Sequence, residues 1–245
     1  MKNRHIAFAV ALLCAVNFPA HAGEPRAVVE LFTSQGCSSC PPADKLMGEF
    51  ARDSSLVVLT LPVDYWDYLG WKDTLALHGH SKRQRAYAES RGDREVYTPQ
   101  VVVNGMMHVL GSDKTAIEKA VNETRTMDAP LTVPVTMSVN DGKVTVNVPA
   151  ASGQRSGEVW LCPYASKAQV TIDRGENSGR TFTYYNVVRR WVKLGDWKGH
   201  AQSFSVPVAD LIKGDANVDH AAVLVQSGAA TKPGAMLGVA TANLK

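Results

Sequence analysis

Two cysteines separated by two residues, Cys37 and Cys40, have the type and spacing that favour covalent chemistry in this sequence. They follow an apolar run at residues 27–32 that is typical of a buried strand, and they precede a segment with helical character at residues 41–52. Two thiols at such a junction can close a small disulfide ring. The unpaired N–H groups and the positive dipole end of the helix favour a thiolate there. This position predicts a lowered pKa for Cys37, with Cys37 as the attacking sulfur and Cys40 as the resolving thiol.

Three interpretations of the pair stay open at this point. The favoured one is thiol–disulfide exchange, the second is a structural disulfide in a non-catalytic binding or scaffold module, and the third is a Cu(I)-binding metallochaperone. A structural zinc site needs four ligands. His78 and His80 lie in a predicted helix, where side chains at i and i+2 point apart. We therefore predict no metal ligands, and the sequence indicates no other cofactor.

The first residues have the pattern of an export signal. Basic residues are followed by an apolar run at residues 6–16 and by a small-x-small cleavage pattern that ends at Ala22. We predict a signal peptide over residues 1–22 and an exported protein, periplasmic or secreted. The alternative is a folded N-terminal helix.

The other two of the four cysteines give no second pair. Cys14 lies inside the predicted signal peptide and would be removed with it. An oxidising compartment allows disulfides to persist, and Cys162 is then left without a partner. Its strand-like apolar setting favours a buried, inert thiol, and the alternative is a reactive third thiol that exchanges with the pair.

Composition narrows the class of protein. The chain has 245 residues, of which 45% are hydrophobic and 20% charged, as expected for one large or two small globular domains. The formal net charge is +3 without a basic block, so we predict no nucleic-acid partner. Beyond the predicted signal, no stretch is long and apolar enough to span a bilayer, so we predict that the chain is not membrane-spanning.

The elements that must position the cysteines lie between residues 24 and 127. After the first strand and helix we predict a second strand at residues 55–63, a helix at residues 74–90, a hairpin that turns at Asn104-Gly105, and a final helix that begins near Ser112. Parallel buried strands show such continuous apolar runs. The order is therefore strand, helix, strand, helix, hairpin, helix.

This order, with a C-x-x-C after the first strand and Thr98-Pro99 before the hairpin, resembles the thioredoxin superfamily. The resemblance implies a cis proline at Pro99 that faces the disulfide. It also implies that Thr98 presents backbone groups to an incoming peptide. The alternative is a trans proline that opens a strand.

A closer resemblance is carried by residues 30–44, 63–71, 174–180 and 186–189. These segments are similar to a family of exported bacterial proteins of unknown function. The similarity covers essentially the whole mature chain. It implies a thioredoxin-like N-terminal part and a β-rich C-terminal part, and it says nothing about the substrate.

The C-terminal part, residues 131–245, has many short strand-like runs separated by turn signals, including a hairpin at Asp141-Gly142. We predict an antiparallel β-sandwich domain. The fold class is therefore α/β plus all-β, with a thioredoxin-like domain at residues 24–127 followed by the sandwich. Residues 174–180 are rich in charge and turn formers, which favours a solvated loop. The alternative is that this loop docks near the active site.

Several side chains are candidates for supporting roles. Trp66, Tyr68 and Trp71 could form a substrate lip beside the disulfide, and the alternative is ordinary core packing. Asp64 and Asp67 could assist proton transfer to Cys40. A further candidate, His108, is interpreted as a strand residue without a chemical role.

The resulting prediction is a thiol–disulfide oxidoreductase. Its substrate would be a protein or a small thiol or disulfide compound, and it would need a redox partner that the sequence does not identify.

Overall fold

The computed structural model describes residues 25–127, 130–153 and 155–245. The predicted signal peptide at residues 1–22 lies outside the described residues. Within them the chain forms twelve strands and four α-helices, in the order β1 Ala27–Thr33, α1 Pro41–Phe50, β2 Leu56–Pro62, α2 His78–Arg91, β3 Gln100–Val103, β4 Met107–Leu110, α3 Lys114–Thr124, β5 Thr136–Asn140, β6 Lys143–Val148, β7 Gly157–Ile172, β8 Arg180–Val188, β9 Val192–Trp197, β10 Gln202–Pro207, α4 Val208–Ile212, β11 His220–Ala229 and β12 Lys232–Asn243.

The strand that leads to the cysteines is central and fully buried. All seven residues of β1 are buried, as expected for an apolar strand covered on both faces. It pairs in parallel with β2 and antiparallel with β3, and β3 turns back into β4 at Asn104-Gly105. Both turn residues have positive φ, 51° and 71°, which an Asn-Gly pair accommodates. The predicted order of elements is therefore confirmed for this part of the chain.

One sheet runs through both predicted parts of the protein. The strand order is β12-β11-β7-β8-β2-β1-β3-β4, and β9 pairs with β7. The junction between the parts is parallel pairing of β8 with β2, where Thr60 lies opposite Val187. The fold is thus a mixed helix-and-strand architecture with a nine-stranded sheet. A boundary between residues 127 and 131 stays a prediction.

A smaller sheet covers the C-terminal half of the large one. It has the order β10-β6-β5. The inward side chains of β6 belong to one apolar cluster with residues of β7 and β11 in the large sheet: Val144, Val146, Val148, Val159, Leu161, Val223 and Val225. The two sheets therefore pack face to face over a shared apolar layer, as the sheets of a β-sandwich do.

A buried polar network joins the two halves of the chain. Arg83 of α2 donates through Nε to Glu30 Oε1 at 2.7 Å and through Nη2 to Gln226 Oε1 at 2.9 Å. Tyr87 OH donates to Glu30 Oε2 at 2.6 Å. Glu30 is fully buried, so the guanidinium is the counter-charge that makes its burial tolerable.

No helix among the residues described here is long and apolar enough to cross a membrane.

Candidate functional site

The two cysteines form a disulfide at the junction between β1 and α1. The sulfur atoms of Cys37 and Cys40 are 2.15 Å apart, and the Cα atoms are 5.4 Å apart. Cys40 is the residue that caps the N-terminus of α1. Cys37 is 4% exposed and Cys40 is fully buried. The structure therefore confirms that the pair closes on itself, and it leaves only a small part of Cys37 in contact with solvent.

The helix offers fewer N–H groups to Cys37 than the sequence predicts. Pro41 and Pro42 carry no backbone N–H, and the N–H groups of Ala43 and Asp44 donate to the Cys40 carbonyl at 2.9 and 3.1 Å. The positive end of the helix dipole remains. A hydroxyl also lies near the sulfur, because Ser39 Oγ is 3.4 Å from Cys37 Sγ.

The Thr98–Pro99 peptide bond is cis, as the resemblance implied. It immediately precedes β3, and Gln100 at the start of β3 lies opposite Phe32 near the end of β1. The strand register thus brings the cis bond to the end of β1 from which the cysteine loop departs. Trp66 Nε1 donates to Thr98 Oγ1 at 2.8 Å and so ties the threonine to the segment after β2.

Two aromatic residues of that segment contact the cysteine loop, and a third stacks on one of them. A Cβ on Gly36 would lie 3.1 Å from Trp66 Cβ, so Trp66 packs directly against the residue before Cys37. Tyr68 stacks on Trp66 with ring centroids 6.3 Å apart and is 76% exposed. Trp71 Nε1 donates to Gln35 Oε1 at 2.8 Å. Trp66 also packs against a core cluster, which is the alternative role given above, and the substrate lip stays a prediction.

The two carboxylates proposed from the sequence for proton transfer have other partners. Asp64 Oδ1 accepts from Ser81 Oγ at 2.5 Å, and Asp64 Oδ2 lies 2.8 Å from His78 Nδ1. Burial opposes ionisation, but these bonds hold the pKa of Asp64 below its usual value. Asp67 Oδ1 accepts from the backbone N–H of Asp73 at 3.1 Å and so shapes the loop.

Two other carboxyl groups, those of Asp44 and Asp73, have pKa values well above that of an unperturbed aspartate. Burial raises the pKa of Asp44 to about 8, with a hydrogen bond from Thr33 opposing the shift and the charge of Asp73 adding to it. Burial likewise raises the pKa of Asp73 to about 6, although its carboxylate accepts from the N–H groups of Gln35 and Leu75 at 2.8 Å. Asp44 is one helical turn after Cys40, a spacing at which side chains are neighbours.

Sequence analysis missed Asp44, and one signal could have revealed it. An aspartate four residues after the second cysteine stands in the first turn of a predicted helix, where carboxylates are usually explained by the helix dipole. What the sequence does not give is its burial, since only 3% of Asp44 is exposed. A groove of about 280 Å³ between α1 and β8 is lined by Asp44, Lys45, Phe182 and Tyr185 among others.

The charged loop between β7 and β8, residues 173–179, docks on the cysteine loop. Asn177 is 1% exposed. Its Nδ2 donates to the carbonyl oxygens of Gln35 at 2.9 Å and of Cys37 at 3.0 Å. The expectation of a solvated loop is therefore wrong for Asn177, because its amide satisfies two buried carbonyl groups. Asn177 instead docks beside the cysteines, as the alternative interpretation predicts.

The remaining candidates lie apart from this site or have structural partners. Cys162 is fully buried, and burial raises the pKa of its thiol, which keeps it neutral. His80 is buried with Nδ1 2.9 Å from the Pro62 carbonyl oxygen, and burial lowers its pKa to about 3. His108 of β4 bonds to Tyr97 OH at 3.0 Å. Within the described residues no group of three or more His, Cys, Asp or Glu is arranged to hold a metal ion.

Comparison with known proteins assigns the chain to a family. Residues 28–226 match the family described as "Protein of unknown function (DUF1223)", and the chain belongs to it. The crystal structure of a protein from Agrobacterium tumefaciens is similar with 32% identity and a TM-score of 0.78 over 89% of this chain and 94% of that one. HBP35 of Porphyromonas gingivalis shares the fold at 11% identity, with a TM-score of 0.59 over 89% of this chain and 75% of that one. No curated protein matches the sequence significantly.

Proposed function

We propose that this DUF1223 protein is an exported thiol–disulfide oxidoreductase, with a thioredoxin-like part at residues 24–127 and a β-sandwich part at residues 131–245. One observation carries the proposal. The C-x-x-C disulfide and the cis Thr98–Pro99 bond both lie at the end of β1 where the chain passes into α1. Trp66 contacts both the cysteine loop and Thr98.

The exchange needs only the two sulfurs and one proton acceptor. In the reduced protein the Cys37 thiolate attacks a sulfur of the substrate disulfide, forms a bond to it and releases the other substrate sulfur as a thiolate. The Cys40 thiolate then attacks Cys37 Sγ, re-forms the Cys37–Cys40 bond and releases the second substrate thiolate. The substrate disulfide gains two electrons and the protein dithiol loses them. Run backwards, the same steps oxidise a substrate dithiol.

Asp44 suits the proton step. Cys40 must lose its proton before it attacks, and Cys40 is fully buried. Asp44 lies one helical turn away with a pKa of about 8, close to the ordinary pKa of a thiol, which makes proton transfer between the two groups nearly balanced. The groove beside α1 that Asp44 lines would return the proton to solvent.

Substrate positioning is assigned to Thr98, Pro99 and the aromatic residues beside them. Thr98 and Pro99 would present backbone groups to an extended substrate segment. Tyr68, Trp66 and Trp71 would form the lip, with Tyr68 the most exposed of the three. The substrate class is a protein or a small thiol or disulfide compound.

A structural disulfide is the second candidate, and the burial of the pair favours it. With Cys37 only 4% exposed, a substrate sulfur must approach through a narrow opening. Structural disulfides have reduction potentials below about −300 mV and do not turn over. A measured potential well above that value, together with exchange, would exclude this candidate.

The test is a trapping experiment on the mature protein. In Cys40→Ser the mixed disulfide with a substrate has no resolving thiol, so an incubation with insulin or with glutathione disulfide should leave a covalent adduct on Cys37. Cys37→Ser should form none, and Cys162→Ala should behave as the wild type. Absence of the adduct in Cys40→Ser, with no insulin reduction by the wild type, would refute the oxidoreductase proposal.

A further inference from the structure

The backbone of the cysteine loop is held by a side chain from the distant β-rich half. Asn177 stands 140 residues after Cys37 in the sequence, and its amide nitrogen donates to the Gln35 and Cys37 carbonyl oxygens at 2.9 and 3.0 Å. The two carbonyl groups flank Gly36. One buried amide therefore spans the loop from the residue before the glycine to the attacking cysteine.

The orientation of that amide is itself fixed. Arg180 Nη1 donates to Asn177 Oδ1 at 3.1 Å, which turns the two N–H groups of the amide toward the cysteine loop. Gln35 is held from its other side as well, because its N–H donates to Asp73 Oδ2 at 2.8 Å and its side-chain oxygen accepts from Trp71 Nε1. Gln35 is thus fixed at its N–H, its side chain and its carbonyl group.

We propose that Asn177 is a positioning residue that sets the reduction potential of the Cys37–Cys40 pair. The inference rests on the proposed function, since it assigns a role at the same site. When the sulfur–sulfur bond opens, the loop keeps its closed geometry only through non-covalent bonds. Asn177 holds Cys37 where Cys40 can reach it, and this raises the effective concentration of one thiol toward the other. Reclosure of the disulfide is favoured, and mixed disulfides on Cys37 are short-lived.

Asn186 of β8 provides a matched comparison. Its Nδ2 donates to the Val58 carbonyl oxygen at 3.0 Å, so it also joins the β-rich half to the N-terminal half by an amide-to-carbonyl bond. That bond ends on β2 and not on the cysteine loop. Asn186 has a φ of 50°, a conformation that glycine accepts without strain. Asn186→Gly therefore removes a similar bond between the halves while it leaves the loop untouched.

The experiment measures the equilibrium between the protein disulfide and glutathione by trapping free thiols with an alkylating reagent. In Asn177→Ala the equilibrium constant should shift about tenfold toward the dithiol, which corresponds to a potential about 30 mV less negative. Glutathione mixed disulfide should accumulate in the same samples. Arg180→Ala is the milder variant, since it keeps Asn177 and removes the bond that orients its amide, together with a contact to the Phe182 ring on β8. It should shift the constant about threefold in the same direction.

Asn186→Gly should leave the constant within twofold of the wild type even where its unfolding midpoint falls as far as that of Asn177→Ala. The proposal is overturned if Asn177→Ala and Arg180→Ala both stay within twofold of the wild type, or if Asn186→Gly shifts the constant as much as they do. This equilibrium is measurable whether or not the protein turns over a substrate. Failure of the insulin and trapping assays would therefore refute the oxidoreductase proposal without deciding the role of Asn177.

Discussion

Replacing Asp44 by asparagine should make the protein more stable at alkaline pH. Asp44 has a pKa of about 8 in the folded chain against 3.8 for an unperturbed aspartate, chiefly because of burial. Between these values the folded chain retains a proton that the unfolded chain has released, so stability falls as pH rises. Each pH unit in that window costs about 1.4 kcal/mol, and the total above pH 8 is several kcal/mol.

The asparagine introduced by Asp44→Asn would mimic the protonated carboxyl group and keep an oxygen that accepts from Thr33 Oγ1, which donates at 2.7 Å in the wild type. The assay is urea unfolding of the oxidised protein at pH 5, 7 and 9, followed by circular dichroism. The stability of Asp44→Asn relative to the wild type should rise from pH 5 to about pH 8 and then level off, so that the variant is the more stable protein at pH 9. Glu49→Gln, on the exposed side of the same helix, is the control and should show no such trend. Parallel pH profiles for Asp44→Asn and the wild type would refute the assignment of a buried, protonated carboxyl group.

The same variant tests the proton step. If Asp44 accepts the proton of Cys40, resolution of a mixed disulfide in the wild type should accelerate as pH rises through about 8, where Asp44 ionises. In Asp44→Asn this acceleration should move to higher pH, where the Cys40 thiol loses its proton directly to solvent, and resolution at pH 8 should slow by about 100-fold or more. An unchanged rate in the variant would show that the proton leaves by another route.

Two further substitutions and one labelling experiment test the packing of the core and of the cysteine loop. Arg83→Met should destabilise the fold by about 3–5 kcal/mol in urea unfolding because it leaves the carboxylate of Glu30 buried without a counter-charge; a loss below about 1 kcal/mol would contradict that role. Gly36→Ala should cost about 1–2 kcal/mol and slow insulin reduction, because the new Cβ would lie 3.1 Å from Trp66 Cβ, and an unaffected activity would show that Trp66 does not shape the site. Cys162 should resist Ellman's reagent until denaturant is added, since it is fully buried, and rapid labelling of the native protein would disprove its inert role.

Local patterns predict much of the N-terminal part. The helix predicted at residues 41–52 is Pro41–Phe50 in the structure, and the hairpin turns at Asn104-Gly105 and Asp141-Gly142 are present with positive φ at all four residues. These features depend on residues that are adjacent in the sequence, such as turn formers and continuous apolar runs. The cis bond at Pro99 is different, because only a resemblance to a known superfamily implies it.

The C-terminal strands are predicted less well. The sequence pattern indicates separate strands at residues 157–161 and 168–172, whereas β7 runs unbroken from Gly157 to Ile172. Pro163 suggests a break, since a proline cannot donate to a ladder. In the structure β7 changes partner at this point, from β9 up to Leu161 to β8 from Tyr164 onward. Pro163 keeps its place opposite Ala221 of β11, and its carbonyl oxygen accepts from the N–H of Arg189, just after β8, at 2.9 Å.

The support of the cysteine loop is beyond local patterns for a physical reason. Asn177 looks like a turn former among charged residues, and nothing within ten residues of it indicates that its amide is buried. Its position depends on distant segments, because β8 lies between β2 and β7 and lines a groove together with α1, the helix that begins at the cysteine loop. Asn177 and Asn186 then flank most of one strand and bond to backbone carbonyl groups of the N-terminal half at the cysteine loop and at β2. In the sequence, residues 174–180 and 186–189 look like independent surface motifs. In the structure each contributes an asparagine that bonds β8 and the loop before it to the N-terminal half. The cysteine loop is held by the first of these two segments.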